Sequence, residues 1–243
     1  MFRKILAGFA LAALVIVPAS AQTLDEVLAK NYKAKGGLDK IKAVQTIRIT
    51  GTMTLGPGIE APFVLVQKRP GMLRMEFTFQ GMTGVQAYDG KTGWQLMPFE
   101  GRKDPEPLPE DAMKQVEEQA DVDGPLVDYK VKGHTVELVG KEKVEGSDVY
   151  KLKVTLKNGD IRYIYLDADS YLEIRVEGKT KTRGTDVESE STIGDYKEVG
   201  GLMFPYAMES GQKGSPQKQK MTLQKIELNV PLDDAQFKMP VVK

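Results

Sequence analysis

From Ile47 to Leu55 apolar and polar residues largely alternate, with Ile47, Ile49, Met53 and Leu55 on one side and Arg48, Thr50, Thr52 and Thr54 on the other. The same period of two recurs where Leu73, Met75, Phe77 and Phe79 alternate with Arg74, Glu76 and Thr78. It recurs again where Tyr150, Leu152, Val154 and Leu156 alternate with lysines and threonine. Successive side chains of a strand point to opposite faces, so these segments are half-buried antiparallel strands with one dry and one wet face. Turn formers separate them: Gly56-Pro57-Gly58, Asp89-Gly90, Asn158-Gly159-Asp160, Asp167 to Ser170 and Gly200-Gly201. Asn158-Gly159 predicts a type I′ hairpin, whose two central residues both need positive φ. About eleven strands are predicted between residues 44 and 238, joined as a meander.

Two segments depart from this rhythm. Thr23-Leu24-Asp25-Glu26 reads as a capping box, and Leu24, Val27, Leu28 and Tyr32 then share a helical face before Gly36-Gly37 stops the helix. Further on, Pro105, Pro107 and Pro109 mark an extended connector. Met113, Val116 and Ala120 then fall on one face of a helix over 110–120, which Asp123-Gly124-Pro125 ends. A helix inserted into a meander covers something. It is either ordinary core over the apolar face or a lid over a cavity, and the pattern leaves both open.

The first residues carry an address. Arg3 and Lys4 precede the uncharged apolar run 5–17, Pro18 breaks it, and Ala19-Ser20-Ala21 is the small-residue pattern expected before a cleavage site. The run is shorter than the about 20 residues a membrane-spanning helix needs. Residues 1–21 are therefore expected to be a cleaved signal peptide and 22–243 one exported domain. Of the 34 basic and 34 acidic residues, two basic and no acidic ones lie in the leader, which leaves the mature chain at a net charge of −2. That balance argues against nucleic acid as a partner. Cysteine is absent, which excludes disulfides, thiol catalysis and a lipid-anchoring cysteine. An exported protein with no membrane anchor, free in solution as a monomer, is expected.

Candidate catalytic chemistry is sparse. His134 is the sole histidine and reads as a surface turn residue rather than a metal ligand. Asp167-Ala168-Asp169 with Glu173 has the look of a calcium loop, but Asp and Ser bonding their own backbone explain the turn. No nucleophile elbow, phosphate loop or dinucleotide fingerprint occurs. No enzyme activity, cofactor or metal is expected.

Three motifs stand in order along the chain: Lys68-Arg69-Pro70 between two strands, Asp89-Gly90-Lys91-Thr92 followed by Trp94, and Asp234-Ala235-Gln236-Phe237 near the end. With the N-terminal helix they resemble the periplasmic outer-membrane lipoprotein carriers, the LolA-like proteins, over nearly all the mature chain. The resemblance implies an α+β, mainly antiparallel fold: a curved sheet forming an incomplete barrel, with helices covering its open side. It implies acyl chains of lipids or lipoproteins as cargo, an inner-membrane donor and an outer-membrane acceptor. It also implies a latch role for Arg69, hydrogen bonded to backbone carbonyls of a lid helix. Met53, Met75, Phe77, Phe79, Trp94, Met97, Met113 and Val116 are expected to line the interior, where methionine suits ligands of variable shape. Gly93 before the tryptophan and Gly71-Met72 after the proline depart from the carrier pattern, and Arg162, Tyr163, Tyr165, Arg175 and Arg183 match none of its motifs. An envelope sensor or protein-interaction module of the same fold, reading a lipid or lipoprotein as a signal, is the alternative, with an enzyme on this scaffold behind it.

Overall fold

The computed structural model describes residues 22–182 and 185–241, so residues 1–21, where a leader is expected, and Arg183 lie outside the described residues. Helices α1 (Leu24–Ala34) and α2 (Leu38–Ala43) precede β1 (Thr46–Gly56), β2 (Ile59–Lys68), β3 (Met72–Phe79), β4 (Met82–Tyr88), β5 (Gly93–Leu96) and β6 (Glu106–Pro107). Helix α3 (Glu110–Gln119) leads to β7 (Thr135–Val144), β8 (Ser147–Thr155), β9 (Ile161–Asp167), β10 (Glu173–Thr182), β11 (Thr185–Val199), β12 (Leu202–Gln212) and β13 (Gln219–Leu228). All thirteen strands form one antiparallel sheet in the order β6-β5-β4-β3-β2-β1-β13-β12-β11-β10-β9-β8-β7. The chain thus lays down two meanders, and β13 returns to pair with β1. Thirteen strands form among the described residues where about eleven were expected; one of them, β6, is two residues of the proline-rich connector.

The sheet is curled, and α3 shows how far. Strands β4 and β9 lie eight places apart, about 38 Å in a flat sheet at about 4.8 Å per strand. Yet α3 packs Val116 with Tyr88 of β4 and pairs Glu118 with Arg162 of β9. Two helical residues advance only about 3 Å. The ends of the sheet have therefore curved toward each other, giving an open barrel with α3 across the gap.

Helices α1 and α2 cover the same concave face. Thr23 caps α1 as expected: its hydroxyl accepts from the Glu26 amide, and the Glu26 carboxylate accepts from the Thr23 amide. The apolar face of α1 buries Val27 and Leu28 against Leu152, Ile164 and Leu166 of β8 and β9. Ile41 of α2, a helix the sequence pattern did not single out, packs with Ile47, Leu202 and Ile226. The expected type I′ turn is found at Gly200-Gly201, with φ of 61° and 78°, and not at Asn158-Gly159. There only Gly159 has positive φ, because the β8–β9 loop is longer and runs from Leu156 to Asp160.

The three motifs of the sequence meet in space. Lys68 donates to the Leu232 carbonyl and pairs with Asp234, while the Trp94 indole N–H donates 2.9 Å to the carbonyl of the fully buried Phe237. The C-terminal segment is thereby strapped to the outer face of β3 to β5, where Arg74 also donates to the Gln236 carbonyl. Elsewhere that face is polar: the Lys/Glu-rich hairpins pair Arg175 with Glu177 and Glu190, and Lys213 with Glu177.

Candidate functional site

Register assigns each expected lining residue to a face. Leu65 pairs with Met75 and Phe63 with Phe77, and Phe77 lies opposite Gly84. Met75 and Phe77 pack against the buried Met53 and Phe63 on the concave face. Phe79 continues the row opposite Met82, one of the exposed large apolar residues. Phe99 folds back over this floor from the short helical turn Pro98–Glu100, which Met97 precedes. Its ring centroid lies 5.3 Å from that of Phe77 and 6.1 Å, edge on, from that of Phe79. Gly84 makes room for it, since a Cβ there would stand 2.8 Å from the rings of both Phe77 and Phe99. Met75, Phe77, Phe79, Met97 and Phe99 all stay only half-buried. The result is an apolar, aromatic- and methionine-rich floor left incompletely covered.

Trp94, expected with this group, faces the other way. It pairs with Ala87 and joins Val85 and Leu96 on the outer face, while the inward position beside it is Gly93. The alternation of β5 dictates this, and the glycine serves α3: a Cβ on Gly93 would run into Leu108 and the Met113 sulfur. Met113 and Val116 lie on the packed face of α3 with Ala120, over Leu73 and Tyr88. Val116 and Ala120 are each only 1% exposed.

Arg69 sits at the β2–β3 turn. Its Nε donates to the Val44 carbonyl and one Nη to the Ile41 carbonyl, the C-terminal end of α2. Both Nη atoms grip Asp123, in the turn following α3, at 2.5 and 2.6 Å. The helix whose carbonyls it holds is thus α2, and the inserted helix is reached through the Asp123 carboxylate. Burial works against the Asp123 anion, but the Arg69 hydrogen bonds and charge hold its pKa below the usual carboxylate value, and the same bonds raise that of Arg69. Nearby, the Gln67 amide donates to the Gln119 carbonyl, and Lys132 clamps Asp121 and the Gly124 carbonyl.

Across the gap α3 presents carboxylates. Glu118 accepts two bonds from Arg162 of β9, at 2.9 and 2.7 Å, and Glu117 pairs with Lys157 at 2.7 Å. Arg162 shares the inward register of Ile164 and Leu166, and its guanidinium lies over Gly178. The charged edge of α3 bounds a cleft of about 640 Å³ between the two arms of the sheet. Pro70, Tyr88, Pro125 and Leu156 give it apolar walls, and Lys114, Lys132, Lys157 and Asp121 a charged rim. His134 lines it too, its Nδ1 accepting from the Lys157 amide; burial and then Lys132 lower its pKa. Among the described residues no cluster of His, Cys, Asp and Glu could hold a metal ion, and the Asp167 carboxylate is engaged by Asp169 and Ser170 of its own turn.

Two contributors escaped the sequence reading. Phe99 follows a proline outside any periodic run. Arg162 was noted without a role, although a cation in the register of Ile164 and Leu166 was itself the signal, since charge on a core face needs a partner.

No family model matches the sequence, and no curated protein matches it. Solved structures do match in fold. A DUF1329 family protein from Desulfovibrio piger superposes with a TM-score of 0.62 at 16% identity, covering 88% of this chain and 97% of that one. A LolA superfamily protein from Nitrosomonas europaea gives 0.61 at 14% identity, with 90% and 98% covered. A domain described as an outer-membrane lipoprotein-sorting protein, from Vibrio parahaemolyticus, gives 0.56 at 12% identity, with 87% and 94% covered. The chain has the incomplete-barrel fold of these proteins over nearly its whole described length.

Proposed function

We propose, from the fold shared with LolA-superfamily structures, that this chain is a periplasmic carrier sheltering lipid acyl chains on the concave face of its open barrel. The observation that carries the reading is the half-covered floor of Met75, Phe77, Phe79 and Phe99, apolar and adaptable, inside a sheet whose gap is crossed by α3. Covering that floor with an acyl chain gains about 0.8 kcal/mol per buried CH₂. Lipoprotein acyl chains or another lipid are the cargo, taken from an inner-membrane donor and passed toward an outer-membrane acceptor. Arg69 is the clasp that ties α2 and the turn after α3 to the β2–β3 turn, and so fixes the helical cover on one side. The reading is of binding rather than conversion, and the charged groups bounding the gap are engaged with one another: Glu117 with Lys157, Glu118 with Arg162 and Asp121 with Lys132.

The test is chemical. The mature protein, purified from cells and extracted with organic solvent, is expected to release lipid detectable by mass spectrometry and, once emptied, to bind a fluorescent fatty acid. A protein that carries no lipid and binds no acyl probe refutes the carrier reading.

A further inference from the structure

The two sides of α3 are attached by different physics. Toward β3 and β4 it buries Val116 and Ala120 against Leu73 and Tyr88. Its ends are anchored on the same side: Leu108, just before the helix, donates to the Gly93 carbonyl, and Gln67 and Arg69 hold Gln119 and Asp123. Toward β8 and β9 it reaches with carboxylates, Glu117 to Lys157 and Glu118 to Arg162. The Glu117 and Lys157 side chains are 45% and 61% exposed, while those of Glu118 and Arg162, at 32% and 15%, are half-buried at the edge of the cleft. Charges that part beside a water-filled cleft regain their hydration, whereas buried apolar contacts must be re-exposed to water to part.

The Glu118–Arg162 pair also stands between two spaces. Glu118 lines the 640 Å³ cleft, while Arg162 lies over Gly178 on the concave face.

We propose that cargo enters and leaves through this seam: α3 stays on the β3–β4 arm and parts from the β8–β9 arm, with Glu118–Arg162 as the gate. The cleft is the vestibule of an amphiphile. Its apolar walls, Tyr88 and Leu156, receive the chain, and its charged rim, Lys132 and Lys157, keeps the polar end hydrated. The inference rests on the acyl-binding reading and adds the route to it, on the side opposite the Arg69 clasp.

The absence of native cysteine makes a clean test possible. Glu118→Cys with Arg162→Cys, bridged by a short thiol crosslinker cleavable by reductant, locks the seam. Gln67→Cys with Gln119→Cys, bridged likewise, ties α3 only to the arm it already sits on. Loading of cis-parinaric acid is followed by its fluorescence. The seam bridge is expected to slow loading about tenfold or more, equivalent to about 1.4 kcal/mol of barrier, with recovery on reduction. The near-arm bridge is expected to load as the unbridged chain does. Equal loading with the seam bridged, or a block by the near-arm bridge alone, overturns the route while leaving acyl binding intact. If neither the native chain nor the reduced variant binds the probe, the acyl-binding reading falls and the route with it.

Discussion

Arg69→Ala removes the group on which the helical cover converges. It leaves the Asp123 carboxylate, whose side chain is 9% exposed, without its cation, and strips the Ile41 and Val44 carbonyls of their donor. A hydrogen bond to a charged group contributes about 1.5–3 kcal/mol, and breaking a fully buried ion pair costs about 3–5 kcal/mol. Arg69 keeps 23% of its side chain exposed, so water relieves part of the loss and about 3 kcal/mol is expected. For a domain of this size that lowers Tm by about 6–12 °C, at about 2–4 °C per kcal/mol. Urea unfolding followed by circular dichroism measures it. Asp123→Ala and the double variant complete a cycle, in which the double variant should fall short of the summed losses by about 1 kcal/mol or more. The contribution also has a pH signature. Asp123 is depressed in the folded state, so the stability it adds is present above the unfolded carboxylate value of about 3.9 and is lost as pH falls through the folded value. An Arg69→Ala loss within about 0.5 kcal/mol of zero, or strict additivity in the cycle, would refute the clasp.

Three further outcomes follow from the same geometry. Gly51→Ala places a Cβ against the Thr222 carbonyl oxygen of the neighbouring strand, a backbone atom that cannot step aside, and should cost about 2–3 kcal/mol in urea unfolding; native stability would show that β1 and β13 do not approach as described. Thr23→Ala removes the hydroxyl that caps α1 and should cost about 1 kcal/mol, with no effect on acyl-probe affinity; a larger loss of binding than of stability would assign the cap another role. Phe79→Ala trims the half-exposed floor and should weaken a fatty-acid probe by about fivefold, about 1 kcal/mol. Unchanged affinity would remove Phe79 from the binding surface.

The clearest strands were legible because one face is dry, and the period of two survives from Ile47 to Met53 and from Tyr150 to Val154, while Leu55 is exposed. The capping box at Thr23 was legible because its chemistry is local. Trp94 was placed on the wrong face because β5 is four residues long, too short for alternation to declare which side is inward, and the outer face there is dry too, sealed by Phe237. The turn type at Asn158-Gly159 depended on loop length rather than on the residue pair. Arg69 stood out through its motif, but its partner Asp123 is 54 residues away, and nothing in the sequence pairs them. The gate at Arg162 was hidden for the same reason: what Glu118 meets is decided by how far thirteen strands curl.

A titration with saturated fatty acids of increasing length tests the central claim most directly, with affinity read by displacement of a bound fluorescent acyl probe. If the concave floor shelters the chain, each added CH₂ should strengthen binding by up to about 0.8 kcal/mol until the groove is filled, so that two carbons approach about tenfold. Affinity that stays flat with chain length, or no displacement at any length, would contradict the account.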